Sequence, residues 1–162
     1  MKELKIMIHN YRFNLENFNQ FLNFFATFLK PKDIVLLTGE MGVGKTTFVA
    51  NLMKVYDFES SSSPTFSLAN RYETHSQLFF HLDLYRMRHE QDLQSMDIQQ
   101  YLEHNSAITF IEWPEKLGVY QPESYISLSI QFDENEAFRK FRLDFSFLND
   151  QSRHWSFGTD TP

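Results

Sequence analysis

The feature that most constrains this chain is a glycine-rich octapeptide between two segments of opposite periodicity. Ile34-Val35-Leu36-Leu37 is apolar at every position, as a strand must be when both its faces are buried. Residues 45–55 instead bring Phe48, Leu52 and Val55 to one side at helical spacing. Between them runs Gly39-Glu40-Met41-Gly42-Val43-Gly44-Lys45-Thr46. A strand that passes into a helix through such a loop turns backbone N–H groups inward, and the helix adds its positive N-terminal dipole. Together these form an anion cradle. The spacing Gly-x₄-Gly-Lys-Thr is that of the Walker A phosphate loop. In that chemistry Lys45 reaches β- and γ-phosphates and the Thr46 hydroxyl is a ligand for Mg²⁺. A nucleotide carried with Mg²⁺ is therefore the expected ligand.

A Mg²⁺-nucleotide needs hard oxygen donors, and phosphate-loop proteins draw a carboxylate from the end of a neighbouring strand. Two candidates fit. Asp83 follows Leu78-Phe79-Phe80-His81-Leu82, and Glu112 follows Ala107-Ile108-Thr109-Phe110-Ile111. Glu112 is expected close to the metal, directly or through water. Asp83 is expected to support it or to orient the attacking water, and the two roles are exchangeable on sequence alone. His81 shares a strand face with Asp83, but imidazole is a poor Mg²⁺ ligand, so a structural role is expected. Trp113 has two readings, stacking on a base or packing in the core. Thr65 lies after the phosphate-loop helix, where a nucleotide-sensing switch would sit, and Pro64 stiffens the approach.

The remaining pattern is that of an α/β protein. Residues 5–12 suggest a first strand. Residues 15–29 align Leu15, Phe18, Phe21, Leu22, Phe25, Phe28 and Leu29 on one helical stripe behind the N-cap candidate Asn14. Phe66–Tyr72 and Gln77–Leu82 read as strands, 90–104 as one or two short helices, and Ala107–Ile111 as a buried strand. Tyr125–Phe132 and Phe138–Phe147 read as a final hairpin around Asp133–Ala137. The order predicts a P-loop NTPase-like three-layer sandwich with a mixed central β-sheet. Residues 1–148 would form one nucleotide-binding domain, with 149–162 a polar, loosely ordered tail on which Trp155 is the only candidate anchor.

Composition narrows the partners. The chain has no cysteine, which excludes disulfides and thiolate chemistry, and its formal net charge is −6 with no dense Lys/Arg run. Direct binding of RNA usually needs a basic patch, so any RNA is expected to be held mostly by a partner. No apolar stretch is long enough to cross a membrane, and no signal-peptide layout opens the chain; a cytoplasmic location is expected. The 18 phenylalanines are expected to fill the core, with a partner surface as the second reading for some of them.

Four blocks occur in order: Gly39 to Phe48, Ser-Pro-Thr-Phe (63–66), His-Leu-Asp-Leu-Tyr-Arg (81–86) and Ile-Glu-Trp-Pro-Glu (111–115). In this arrangement the chain, from about residue 30 to 142, resembles the bacterial tRNA threonylcarbamoyladenosine biosynthesis ATPase family, TsaE. The resemblance implies a protein that binds ATP/ADP and Mg²⁺ and hydrolyses ATP weakly alone. It implies action with a threonylcarbamoyl-transferase and its non-catalytic paralogue, which modify N6 of adenosine 37 in tRNAs reading codons that begin with A. Such an ATPase resets the complex between turnovers. Carried onto this chain, the resemblance puts nucleotide contacts on Met41, Gly42, Val43, Gly44, Lys45, Thr46, Thr47, Asp83, Glu115 and Arg139. It puts metal binding on Thr46 and Glu112, and catalytic roles on Lys45, Asp83, Glu112 and Thr65. The Phe-rich first helix lacks a glycine that the family often carries, and the residues after about 147 have no counterpart.

A P-loop small-molecule kinase is the main alternative, but it would carry an Arg-rich lid, and no Arg cluster follows the central strands. A GTPase would carry Asn-Lys-x-Asp, which is absent. A non-hydrolysing nucleotide scaffold would not need both Asp83 and Glu112.

Overall fold

The computed structural model describes residues 8–58, 68–145, 147–150 and 153–158. In chain order the elements are β1 (Ile8–Phe13), α1 (Leu15–Phe28), β2 (Ile34–Thr38), α2 (Lys45–Val55), β3 (Ala69–Glu73), β4 (Leu78–Asp83), α3 (Glu90–Ser95), α4 (Ile98–Leu102), β5 (Ala107–Glu112), two 3₁₀ turns (Pro114–Lys116 and Gly118–Tyr120), β6 (Ile126–Phe132) and β7 (Arg139–Asp144). Thr65, Phe66 and residues 5–7 of the expected first strand lie outside the described residues.

The strands form one sheet in the order β1-β7-β6-β2-β5-β4-β3. The centre is parallel, with β2 between β6 and β5 and with β4 beside β5. The two edges are antiparallel, β1 and β6 on β7 and β3 on β4. The burial of each strand follows from that position. β5 is buried at all six positions and β2 at its first four, because elements cover both faces of the parallel centre. β1, β6 and β7 alternate instead, burying Tyr11, Phe13, Leu128, Ile130, Phe141 and Leu143 while Arg12, Gln131, Lys140 and Arg142 stay exposed. An antiparallel sheet tolerates one wet face, and here it has one.

On one face α1 and α2 pack over Phe79, Phe110, Leu128 and Phe141; on the other, α3, α4 and the 3₁₀ turns pack over Ile34, Leu36, Phe80, Leu82 and Ile111. This is the expected mixed α/β sandwich. Phe21, Phe25, Phe48, Phe79, Phe110 and Phe145 are all but inaccessible, so the phenylalanines are chiefly core. None of the described helices is long and apolar enough to cross a membrane.

α1 begins where its cap requires. The Asn14 side chain accepts from the backbone N–H groups of Glu16 and Asn17, and Asn17 Oδ1 accepts from Asn14 N at 2.9 Å. This reciprocal pair satisfies donors that the first helical turn leaves free. Leu15, at the head of the predicted stripe, is 88% exposed and stands at the rim of a cleft described below.

Within the C-terminal segment, residues 153–158 pack against the core. Trp155 is buried and its Nε1 donates to Tyr11 Oη at 2.7 Å, while Tyr11 Oη donates to the carbonyl of Phe157 at 2.8 Å. Its ring meets those of Phe24, Phe28 and Phe145 at 5.0–5.2 Å. Arg153 grips Asp33 through both carboxylate oxygens, at 2.7 and 2.8 Å. A large aromatic ring with a satisfied N–H and a bidentate ion pair outweigh the polar composition of the segment.

Candidate functional site

β2 ends at Thr38, and the chain turns at once through the glycine loop into α2. Gly39 has φ of 143°, and a Cβ placed on it would sit 2.3 Å from the carbonyl oxygen of Ile130 on β6. Only glycine lets the loop leave β2 so close to its neighbour. Gly44, with φ of 113°, caps α2 without a side chain, so the first N–H groups of the helix remain available to an anion.

Two hollows meet at this loop. One, of about 220 Å³, is polar at its base and is lined by Lys45, Thr46, Thr47, Asp83, Glu112, Met41, Tyr85 and Trp113 with Gly42 and Gly44. The other, of about 390 Å³, is mainly apolar and lies between the head of α1 and β7. Phe13, Leu15, Phe18, Val43, Phe48, Phe141, Asn51 and Arg139 are among its walls, and Gly42, Gly44 and Thr47 belong to both. The phosphate loop is thus a saddle between an apolar slot and a polar one. A larger hollow of about 530 Å³ beside α4 is wide open and shares no residue with the loop, so volume alone does not mark the site.

The polar slot is assembled from three parallel strand ends. Glu112 closes β5, which lies beside β2, and is paired in register with Asp83 at the end of β4. Glu112 is 3% exposed, and its Oε1 accepts from Thr46 Oγ1 at 2.7 Å. The same oxygen lies 2.8 Å from His81 Nε2. Asp83 is exposed at the lip, where its Oδ1 accepts from the backbone N–H of Tyr85 at 3.0 Å. Lys45 is buried; its Nζ donates to the carbonyls of Gly39 and Glu40 at 2.6 and 2.9 Å and lies 4.1 Å above the Trp113 ring. Backbone carbonyls and a π-face hold the ammonium without neutralising it, so its charge stays available to an anion. Nearby, burial above all, and then the negative charge of Glu112, raise the Tyr72 phenol above its ordinary value, with the Asn70 hydrogen bond partly offsetting them.

Arg139 stands in the apolar slot. Its guanidinium donates to the carbonyls of Val43, Glu136 and Phe138 at 3.3, 2.9 and 2.8 Å. It therefore ties the glycine loop to the β6–β7 turn.

The match to known proteins follows the same geography. A sequence model described as "Threonylcarbamoyl adenosine biosynthesis protein TsaE" matches residues 13–141, which span both slots and the loop between them. The chain belongs to the TsaE family. Its similarity to proteins named "tRNA threonylcarbamoyladenosine biosynthesis protein TsaE" extends over most of their length. The Rickettsia prowazekii protein is 36% identical over 134 residues, covering 79% of this chain and 92% of its own. The Rickettsia bellii protein is 34% identical over 123 residues, 75% of this chain and 84% of its own. That of Aquifex aeolicus is 36% identical over 122 residues, 73% and 81% respectively. Among solved structures, "Crystal structure of Bacillus subtilus YdiB" superposes with a TM-score of 0.70 over 87% of each chain at 21% identity, which shows the shared fold.

Within this TsaE-family chain the expected site residues separate into groups. Met41, Gly42, Gly44, Lys45, Thr46, Thr47, Asp83 and Glu112 line the polar slot, and Val43 and Arg139 line the apolar one. Glu115 lines neither. Trp113 adopts a left-handed conformation (φ 59°), and the following 3₁₀ turn buries Pro114 and sends Glu115 into solvent. Trp113 itself stands in the polar slot beside Lys45 and Tyr85, away from the apolar one. Two participants escaped sequence reasoning, and the structural role expected of His81 takes the form of a contact with a site carboxylate. Phe13 and Leu15 reach the apolar slot only because the sheet edge carries α1 to the loop. His81 meets Glu112, and its signal was the spacing His81-Leu82-Asp83, two residues on one strand face beside a strand that ends in a carboxylate.

The donor set suits Mg²⁺. Among the described residues no three His, Cys, Asp or Glu side chains form a metal cage. Mg²⁺ bound with phosphates takes one or two carboxylates and keeps its remaining places for water and phosphate oxygen. Thr46 Oγ1 and the Glu112 carboxylate, already hydrogen-bonded to each other, with Asp83 at the lip, are such a set.

Proposed function

We propose that this TsaE-family chain is a Mg²⁺-dependent ATPase subunit of the assembly that forms N6-threonylcarbamoyladenosine at position 37 of tRNAs reading codons that begin with A. It acts with a threonylcarbamoyl-transferase and that enzyme's non-catalytic paralogue, which hold the tRNA. The observation that carries this reading is the Thr46–Glu112 hydrogen bond at the floor of a polar slot, joined through the glycine loop to an apolar slot.

An adenine enters the apolar slot between the head of α1 and Arg139, and the phosphate chain crosses the loop. The backbone N–H groups of the loop and the first turn of α2 bind its oxygens. Lys45 turns from the carbonyls of Gly39 and Glu40 to the terminal phosphates, so its charge meets the negative charge that grows there during transfer. Thr46 and Glu112 would hold Mg²⁺, which would supply positive charge to the phosphate oxygens. Asp83 orients the attacking water from the slot lip. The family resemblance assigns Thr65 to sensing the γ-phosphate. The similarity to proteins named for threonylcarbamoyladenosine biosynthesis supports the pathway, and the acidic net charge of −6 supports tRNA held by partners.

The test is ATP hydrolysis with Mg²⁺, first with the chain alone and then with the transferase pair. Low turnover alone that rises with the pair, and a rise abolished by Lys45→Ala, is the expected result. Turnover that appears only with a small phosphate acceptor would replace this reading with that of a kinase.

A further inference from the structure

Glu112 holds two partners, and only one of them belongs to the glycine loop. Thr46 Oγ1 and His81 Nε2 converge on the same atom, Oε1, at 2.7 and 2.8 Å. Oε2 has no hydrogen-bond partner among the described residues, and no buried side-chain nitrogen or oxygen of those residues is left unpartnered; Oε2 therefore opens to the polar slot that Glu112 lines. We propose that His81 is a positioning residue, whose ring N–H fixes the plane of the Glu112 carboxylate so that Oε2 is presented to the cation or to a water on it. This inference rests on the reading of Glu112 as the metal-side carboxylate.

The physical need is specific. The last torsion of a glutamate is broad and roughly two-fold, so burying Glu112 does not by itself choose the plane of its carboxylate. One hydroxyl donor leaves that plane free to rock, and Thr46 must also turn its lone pair toward a bound ion. A second donor on the same oxygen, from another direction, removes the freedom. His81 is suited to this. Its side chain is 4% exposed, and its strand is paired on both sides, with Asn70 across β3 and Phe110 across β5, so the ring cannot withdraw. A carboxylate that presents its other oxygen to a cation only accepts hydrogen bonds, so in this role Nε2 carries the hydrogen. Packing alone does not call for an imidazole here, since the residues on either side of it on this sheet face, Phe79 and Phe110, are apolar rings in the core.

The experiment uses Mn²⁺ as an EPR-visible probe on the ADP-loaded full chain, with ADP affinity in EDTA measured alongside. His81→Phe keeps the ring and removes the donor. It is expected to weaken Mn²⁺ binding about tenfold or more and to leave metal-free ADP binding unchanged. His81→Gln, which keeps an N–H at similar reach, is expected to recover most of that loss. In a Glu112→Gln background, His81→Phe is expected to add no further loss, because the two side chains act as one unit. Unchanged Mn²⁺ affinity in folded His81→Phe overturns the proposal. So does a loss in His81→Gln equal to that in His81→Phe when both melt like the wild type. If His81→Phe does not fold, His81→Gln and the shorter His81→Asn carry the comparison: retention in the first and loss in the second supports the proposal, and equal behaviour overturns it. Glu112→Gln alone separates the two levels. If it binds Mn²⁺ as tightly as the wild type, the metal-side reading of Glu112 falls and this inference with it; if it weakens binding while His81→Phe does not, only the role of His81 falls.

Discussion

Thr46 on the first turn of α2 donates its hydroxyl hydrogen to Glu112 at the end of β5, at 2.7 Å across 66 residues of chain. The hydroxyl proton is thereby committed to the carboxylate, and the oxygen lone pairs face the slot. Thr46→Ala and Glu112→Ala are expected to lower Mg²⁺-dependent ATP turnover about 10- to 100-fold. Nucleotide binding measured in EDTA should change far less. Unchanged turnover in Glu112→Ala would remove Glu112 from the metal side of the site.

Lys45→Ala removes the buried ammonium that faces the loop. A hydrogen bond to a charged group contributes about 1.5–3 kcal/mol, so ATP should bind about 10- to 100-fold more weakly by calorimetry. The loss should be larger for ATP than for a nucleoside without phosphates. Equal losses for both would show that Lys45 supports the fold of the loop rather than the phosphates.

Gly39→Ala places a methyl group 2.3 Å from the Ile130 carbonyl oxygen at a φ of 143°. Neither the β6 backbone nor the loop can yield cheaply, so destabilisation of at least about 2 kcal/mol is expected in urea unfolding. A midpoint within error of the wild type would mean that the loop has a second route out of β2.

Trp155→Ala empties the aromatic cluster formed with Phe24, Phe28 and Phe145 and deprives Tyr11 of its donor. The expected cost is about 3–5 kcal/mol, seen as a large fall in melting temperature. Trp155→Phe, which keeps most of the ring volume, should recover part of it. If neither variant changes the melting temperature, the segment 153–158 contributes nothing to stability.

Asp133 in the β6–β7 turn accepts two hydrogen bonds from Arg12 on β1, at 2.8 and 2.9 Å, and one from the N–H of Asn135. The Arg12 guanidinium, more than any other group, holds the carboxyl well below its ordinary value of 3.8. A group depressed in the folded state stabilises above its unfolded value and loses that effect as the pH falls toward its folded one. Wild type should therefore melt above Asp133→Asn at pH 7, and the gap should narrow progressively below pH 3.8. A gap that does not vary with pH would assign the difference to the turn geometry alone.

Much of the local structure was legible in the residues. The cap at Asn14, the span of α2, the ends of β5 and the turn at Asp133–Ala137 each follow from short-range spacing and cap or turn chemistry that act within a few residues. The glycine loop was legible for the same reason: its conformation is local, needing only a strand before it and a helix after it. What the residues left open was the choice between Asp83 and Glu112. Each follows an apolar strand, and nothing in either segment says which strand lies beside β2.

The sequence by itself determined the glycine loop, the alternation of elements and the two carboxylates at strand ends, because periodicity and backbone preference act over a few residues. Only the tertiary structure decided that β5 lies between β2 and β4. That order gives Glu112 the Thr46 hydroxyl and leaves Asp83 at the lip. It also decided that His81 points at Glu112, that the head of α1 walls the apolar slot, that Glu115 faces solvent and that Trp155 closes the aromatic core. Each of these contacts depends on the sheet order or on the path of a turn, and is selected by the burial of whole faces rather than by the spacing of any one segment.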